Sequence, residues 1–162
     1  LILLTGPAWS DSEVWYGNWK ITELDVNSSV ILRGIGKQID PVKRDTEGTY
    51  FTLQCFPNSG VLTIALPLPD PLDSTIKTVE VNAWNEIDST DGMRFLNFQN
   101  LSLAQMSSMG KNQSDDINKF VNMLSSSKKF FAYGFNSFSF RFDSRDLHAA
   151  YRKFSSICLP AN

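Results

Sequence analysis

The sequence predicts a β-rich α+β fold: a mainly antiparallel sheet, as a sandwich or curled barrel, two helices in the C-terminal third, and one disulfide. Three observations predict it. Short runs of alternating apolar and polar residues fill the first two thirds of the chain, separated by Gly, Pro, Asn and Asp clusters. Two stretches with helical spacing flank a late hairpin, and this segregation of strands from helices is the α+β pattern. The two cysteines, Cys55 and Cys158, each fall on the apolar side of their segment.

In chain order, Trp15 to Leu24 reads as one half-buried strand, with Trp15, Gly17, Trp19 and Ile21 on one face and Lys20 and Thr22 on the other. Val30 to Ile35 is a second strand, where Gly34 and Gly36 suggest a bend or bulge. Asp40-Pro41 and Lys43 to Gly48 form a polar loop. Thr49 to Phe56 and Val61 to Leu66 make a hairpin around Pro57-Asn58-Ser59-Gly60. Pro67, Pro69 and Pro71 cannot donate to a ladder, so Leu66 to Ser74 is expected to be a stiff, extended loop. Ile76 to Trp84 resumes strand character, Asp88 to Gly92 is a turn, and Met93 to Phe98 is a strand. Leu101 to Gln113 fits either a strand or a short helical turn.

Ser114 reads as a helix N-cap, with Asp115 and Asp116 complementing the helix dipole. Ile117, Phe120, Val121 and Leu124 then recur at helical spacing. Phe130 to Phe135 and Phe138 to Phe142 form a hairpin around Asn136-Ser137. Asp143 or Ser144 is expected to cap the last helix, whose stripe is Leu147, Ala150, Tyr151, Phe154 and Cys158. That register turns Cys158 inward, toward a sheet that contains Cys55.

The first ten residues have a separate reading. Leu1-Ile2-Leu3-Leu4 is an uncharged apolar run, and Ala8-Trp9-Ser10 matches a small-x-small cleavage pattern. This predicts a residual signal peptide over 1–10, cleavage after Ser10, and a single globular domain over 11–162 in the periplasm or secreted. No later run approaches the ~18 apolar residues of a membrane span. Composition is that of a folded chain, with 42% apolar and 20% charged residues. A net charge of -2 with mixed signs leaves no electrostatic footprint for nucleic acid.

Two cysteines in an exported chain most often pair. A catalytic thiol needs a neighbouring base, and His148 is the one histidine; a structural zinc needs about four Cys or His ligands, and the chain has three such residues. No catalytic constellation assembles from the sequence, no metal site is expected, and no cofactor motif is complete. Gly34-Ile35-Gly36-Lys37 lacks the spacing of a phosphate loop. Asp88, Asp91 and Gly92 recur without the remaining ligands of a calcium loop. Glu80, Glu86 and Asp88 are the acids by which a secreted carbohydrate-active hydrolase would work, through a pair of carboxylates. Asn27, Asn100 and Asn112 open N-glycosylation sequons.

The sequence Gly17-Asn18-Trp19-Lys20-Ile21, the run Phe51-Thr52-Leu53-Gln54-Cys55, the run Gly60 to Pro67, and the ending Phe138 to Phe142 followed by Asp143 to Cys158 together resemble small exported bacterial domains. One kind is the invasion-associated locus B type, and the other is the VasI kind of type VI secretion accessory protein. The first kind has a further cysteine soon after its early Trp, which is missing here, and Pro67 to Gln113 matches neither. The resemblance implies a β-rich, non-enzymatic accessory protein of the bacterial envelope, associated with virulence or secretion. It carries over only Cys55 and Cys158, as a structural pair.

The expected function is therefore binding of another protein or an envelope component. The candidate surface is Trp15, Tyr16 and Trp19, for which core packing at a strand start is the favoured alternative, together with Pro67, Pro69 and Pro71. An inhibitor of a periplasmic enzyme is the remaining alternative.

Overall fold

The computed structural model describes residues 12–25, 28–39, 46–68, 72–73, 75–98, 103–109, 113–136 and 138–159. Ten strands and two helices follow one another in these residues. They are β1 (Ser12–Tyr16), β2 (Trp19–Leu24), β3 (Ser29–Ile39), β4 (Thr46–Phe56), β5 (Val61–Pro67), β6 (Thr78–Asn85), β7 (Ser89–Phe98), β8 (Leu103–Ser107), α1 (Ser114–Ser126), β9 (Phe130–Phe135), β10 (Phe138–Asp143) and α2 (Leu147–Cys158). The expected antiparallel sheet and both C-terminal helices are present.

The sheet runs β1-β2-β3-β10-β9-β6-β7-β8-β5-β4, and β4 pairs back onto β3. Eight strands thus close on themselves, and β1–β2 projects from the closed ring as an added hairpin. β3 makes both arrangements possible. Its first half, Ser29 to Gly34, pairs with β2, and its second half, Lys37 to Ile39, pairs with β10. The change of partner coincides with an irregularity in register at Gly36/Lys37, the bulge that the two glycines suggested.

Inside the ring lies an aromatic core. Phe120 of α1 touches Phe51 of β4 (5.6 Å between centroids), Phe95 of β7 (6.1 Å) and Phe131 of β9 (5.1 Å). Because those three strands are not neighbours, Phe120 sits between walls of the ring and not on its outside. Trp19 reaches the same cluster through Phe51 and Phe142. Its indole N–H donates to the Asp143 carbonyl oxygen at 2.9 Å, stitching the added hairpin to the end of β10. A Cβ at Gly34 would come within 2.7 Å of the Trp19 ring and 3.1 Å of Phe142. Glycine is needed here so that the rings can lie across β3. Side chains of this size contribute ~1.5–3 kcal/mol each on burial, and eight Phe (Phe51, Phe95, Phe120, Phe131, Phe135, Phe140, Phe142 and Phe154) are buried in this core.

Helix α2 lays Leu147, Ala150, Phe154 and Cys158 against this assembly. Cys158 is bonded to Cys55, with a Cα–Cα distance of 5.9 Å and a sequence separation of 103. Both cysteines are buried. The predicted inward turn of Cys158 and its pairing with the strand-borne Cys55 are what the fold contains.

Several local expectations are corrected. Trp15 to Leu24 is a hairpin and not one strand. Gly17 has φ 58° and, with Asn18, forms the two-residue turn between β1 and β2. The turn reverses the chain, so Trp15 and Trp19 no longer share a face. Ser114 is the first residue of α1 and not its cap; Gln113 precedes it without a side-chain capping bond. The Gln113 side chain instead accepts from Ser107 N–H (3.2 Å), drawing the helix start toward β8. Neither Asp143 nor Ser144 caps α2: Asp146, with φ 63°, occupies that position. The Asp143 carboxylate accepts the Arg145 N–H at 2.7 Å, tightening the intervening turn. Pro67 ends β5 opposite Leu103 of β8, where its missing N–H is tolerated at a strand end. The turn after β6 falls earlier than Asp88, so β7 already begins at Ser89. Leu101 to Gln113 resolves, over Leu103–Ser107, into strand.

Candidate functional site

Closure removes edges from the ring, and the β1–β2 hairpin restores one. Among the described residues, β1 pairs only with β2. Tyr16 and Trp19 flank a two-residue turn and are therefore a hydrogen-bonded pair; alternation makes Val14–Ile21 and Ser12–Glu23 the next ones. The backbone N–H and C=O groups of Glu13 and Trp15 consequently point away from β2.

The side chains at this edge are apolar on both faces. Val14 is 44% exposed and Trp15 52% exposed. Tyr16 is partly buried and packs against the core, whereas Trp19 is fully buried and belongs to it. Trp15 faces outward beside Lys20, whose ammonium lies 5.1 Å from the indole centroid. The same ammonium donates to Glu13 at 2.9 Å. This bond is the main reason the Glu13 carboxyl titrates below its usual range. The result is an outer face carrying an acid, a base and a large ring on a strand whose outward backbone groups have no strand partner among the described residues.

The other predicted binding residues are not part of this edge. Pro67 lies in β5, separated from β3 by β4, and Pro69 and Pro71 fall outside the described residues. So do Asn27, Asn100, Asn112 and the predicted signal segment. Gly34 to Lys37 is extended strand in β3, not a loop leading into a helix. His148 is exposed on α2.

The acids considered for hydrolysis, as Glu80 with Glu86 or Glu86 with Asp88, lie along β6 and in the turn after it. Glu80 and Glu86 are six residues apart, roughly 20 Å along an extended chain, beyond the ~10 Å over which paired carboxylates act on a glycosidic bond. The Glu86 carboxylate accepts backbone N–H bonds from Lys128 and Phe130. Burial raises its pKa, but the backbone donors of Glu86, Lys128, Lys129 and Phe130 outweigh this and bring it down to about 2. A carboxyl held ionised in this way suits a structural tie. The neighbouring Asn85 completes the tie, its side-chain amide donating to the Met123 carbonyl and to Ser126 Oγ, both at 3.0 Å. Asn85 and Glu86 thus anchor the C-terminal end of α1 to β6. Among the described residues, no group of three or more His, Cys, Asp or Glu side chains is placed to hold a metal ion.

The tie has a pH signature. The folded-state pKa of Glu86 lies below the unfolded value near 4.5, so its contribution is complete above that value. It is lost as pH falls toward about 2. Glu86→Gln is expected to cost on the order of 1 kcal/mol at pH 7 after allowing for solvent screening. Chemical unfolding at pH 7 and pH 3 checks this, because the gap between wild type and variant should shrink at the lower pH. A gap of equal size at both would assign the effect to something other than ionisation.

What sequence reading missed is the edge itself. Gly17-Asn18 between apolar-alternating runs is a hairpin signal, and it was available. Compared with known protein families, curated proteins and solved structures, the chain matches none.

Proposed function

We propose that the chain is an exported, non-enzymatic binding protein that takes up an extended segment of another protein along β1. The observation that carries this reading is the outer edge of β1, where backbone groups with no strand partner among the described residues coincide with exposed Val14 and Trp15. Strand addition draws affinity from main-chain hydrogen bonds and specificity from alternate side chains. Glu13 and Trp15 provide the first, and Val14 and Trp15 the second. Proteins ordinarily shorten, charge or cover such edges; here a five-residue edge carries a large exposed ring. The Cys55–Cys158 disulfide supports an oxidising compartment. The resemblance to exported bacterial domains suggests the envelope, in an accessory role tied to virulence or secretion.

The test uses the outward amide of Trp15. Proline there removes an outward donor while sparing the β2 ladder, so Trp15→Pro is expected to keep the fold. Twelve-residue peptides selected on phage against the folded protein should slow hydrogen exchange at the Glu13 and Trp15 amides. Trp15→Pro should abolish their binding, and Trp15→Ala should weaken it about tenfold. Selected peptides that leave those amides exchanging as in the free protein would overturn the reading. Concentration-dependent dimerisation blocked by Trp15→Pro would replace the proposed partner with a second copy of this chain. Export is tested separately, by alkylating native extract: no free thiol should be detected on the protein.

A further inference from the structure

A second surface, independent of the β1 edge reading, lies where β3 changes partner. β2 stops pairing with β3 at Gly34, and β10 starts at Lys37. The notch between them opens to the outside as a groove of about 460 Å³, within the size range of small-molecule sites. Ile35, Gly36 and Ile39 supply an apolar floor, and Lys129, Phe130 and Arg141 form a wall.

The lining carries three cations and one acid. Arg141 and Lys37 are direct cross-strand partners on the outer face, and Lys129 lines the same groove. The charge offered to a ligand is carried by Arg141 and Lys129, which line the wall. The one acid in the lining, Asp143, is engaged by Arg145, its Oδ2 lying 3.5 Å from the guanidinium. Arg141 is held in place: its guanidinium carbon lies 4.0 Å from the Phe130 ring centroid. Stacking of this kind orients the planar fork and leaves its edge N–H groups free to donate to an incoming pair of oxygens.

We infer that this groove binds a small organic anion, its carboxylate or phosphate on Arg141 and Lys129 and its apolar body on Ile35 and Ile39. The pairing of fixed guanidinium and apolar floor selects molecules that carry both features. Neither inorganic phosphate nor a neutral aromatic alcohol satisfies it.

Amide shifts of isotope-labelled protein, titrated with phenyl phosphate and with 4-phenylbutyrate, test this. At least one probe should move the amides of Gly36, Lys37, Phe130 and Arg141 with saturable binding. Inorganic phosphate and benzyl alcohol, each lacking one half, should bind at least tenfold more weakly. Arg141→Gln should weaken the probe tenfold or more while leaving the thermal midpoint unchanged, and Lys129→Gln should weaken it severalfold. Co-sedimentation with phosphatidylglycerol vesicles, lost in Arg141→Gln, would place the anion on a lipid headgroup; probe binding without co-sedimentation would make it a free molecule. The inference is overturned if neither probes nor vesicles engage these amides, if the half-probes bind equally well, or if Arg141→Gln binds as tightly as wild type.

Discussion

Replacing Cys55 and Cys158 together by alanine is expected to lower the unfolding free energy by about 3–4 kcal/mol. The bond spans a sequence separation of 103, and the loop-closure entropy removed from an unfolded chain of that span reaches ~4.7 kcal/mol before residual structure reduces it. Both cysteines are buried, so the loss of their contacts adds to the effect. Urea unfolding at pH 7 measures it directly. The loss should concentrate in α2, which the bond pins near its last residue. Hydrogen exchange in Leu147 to Ile157 should accelerate before that of β6 or β9. A change below ~1 kcal/mol would mean that core packing alone fixes α2.

The second large effect is expected at Phe120. Phe120→Ala should cost about 3–5 kcal/mol, the range for removing a fully buried ring from a core that cannot collapse around the space. The neighbouring rings, Phe51, Phe95 and Phe131, belong to three strands held apart by the closed ring. The walls therefore resist filling the void. Phe120→Leu should recover more than half of the loss, since a branched apolar group refills most of the space that alanine leaves. If alanine and leucine prove equally damaging, the stacking geometry and not the filled volume is what matters.

Elements whose residues carry their own turn chemistry were legible in the sequence. Pro57 to Gly60 and Asn136-Ser137 marked two hairpins, and both are present as β4–β5 and β9–β10. Helix stripes were legible too, because Phe120 and Phe154 recur on apolar faces that the structure buries. The caps were not. Ser114 and Asp143 have the chemistry of N-caps, but Gln113 is drawn toward β8 and Asp143 is spent on the turn before α2. Tertiary contacts won over local preference at both places. Closure of the ring could not be read, because pairing of β10 with β3 joins segments about a hundred residues apart through backbone groups that every residue has. The role of Glu86 was hidden for a similar reason: its partners are main-chain amides of a loop over forty positions away. The β1 edge was half legible. Strand alternation correctly required Trp15 and Tyr16 to diverge, but reading past Gly17-Asn18 placed Trp15 with Trp19, which the turn separates.

The route by which the ring closes bears on how the protein is made. The second half of β3 can pair with β4 soon after it is made, yet its other edge waits for β10, about a hundred residues further on. Until residue 143 has emerged, the growing chain holds an open sheet with raw edges, and such non-local pairing is intrinsically slow. Cys55 waits longer still, as an unpaired thiol beside those edges. Between Cys55 and Cys158 only one intrachain bond is possible; the oxidative error open to this pair is a bond between two chains. A nascent or truncated form ending before β10 should therefore accumulate as disulfide-linked dimers in an oxidising compartment. The segment from β10 through α2 is the latch on assembly, since it both closes the ring and carries Cys158 to Cys55.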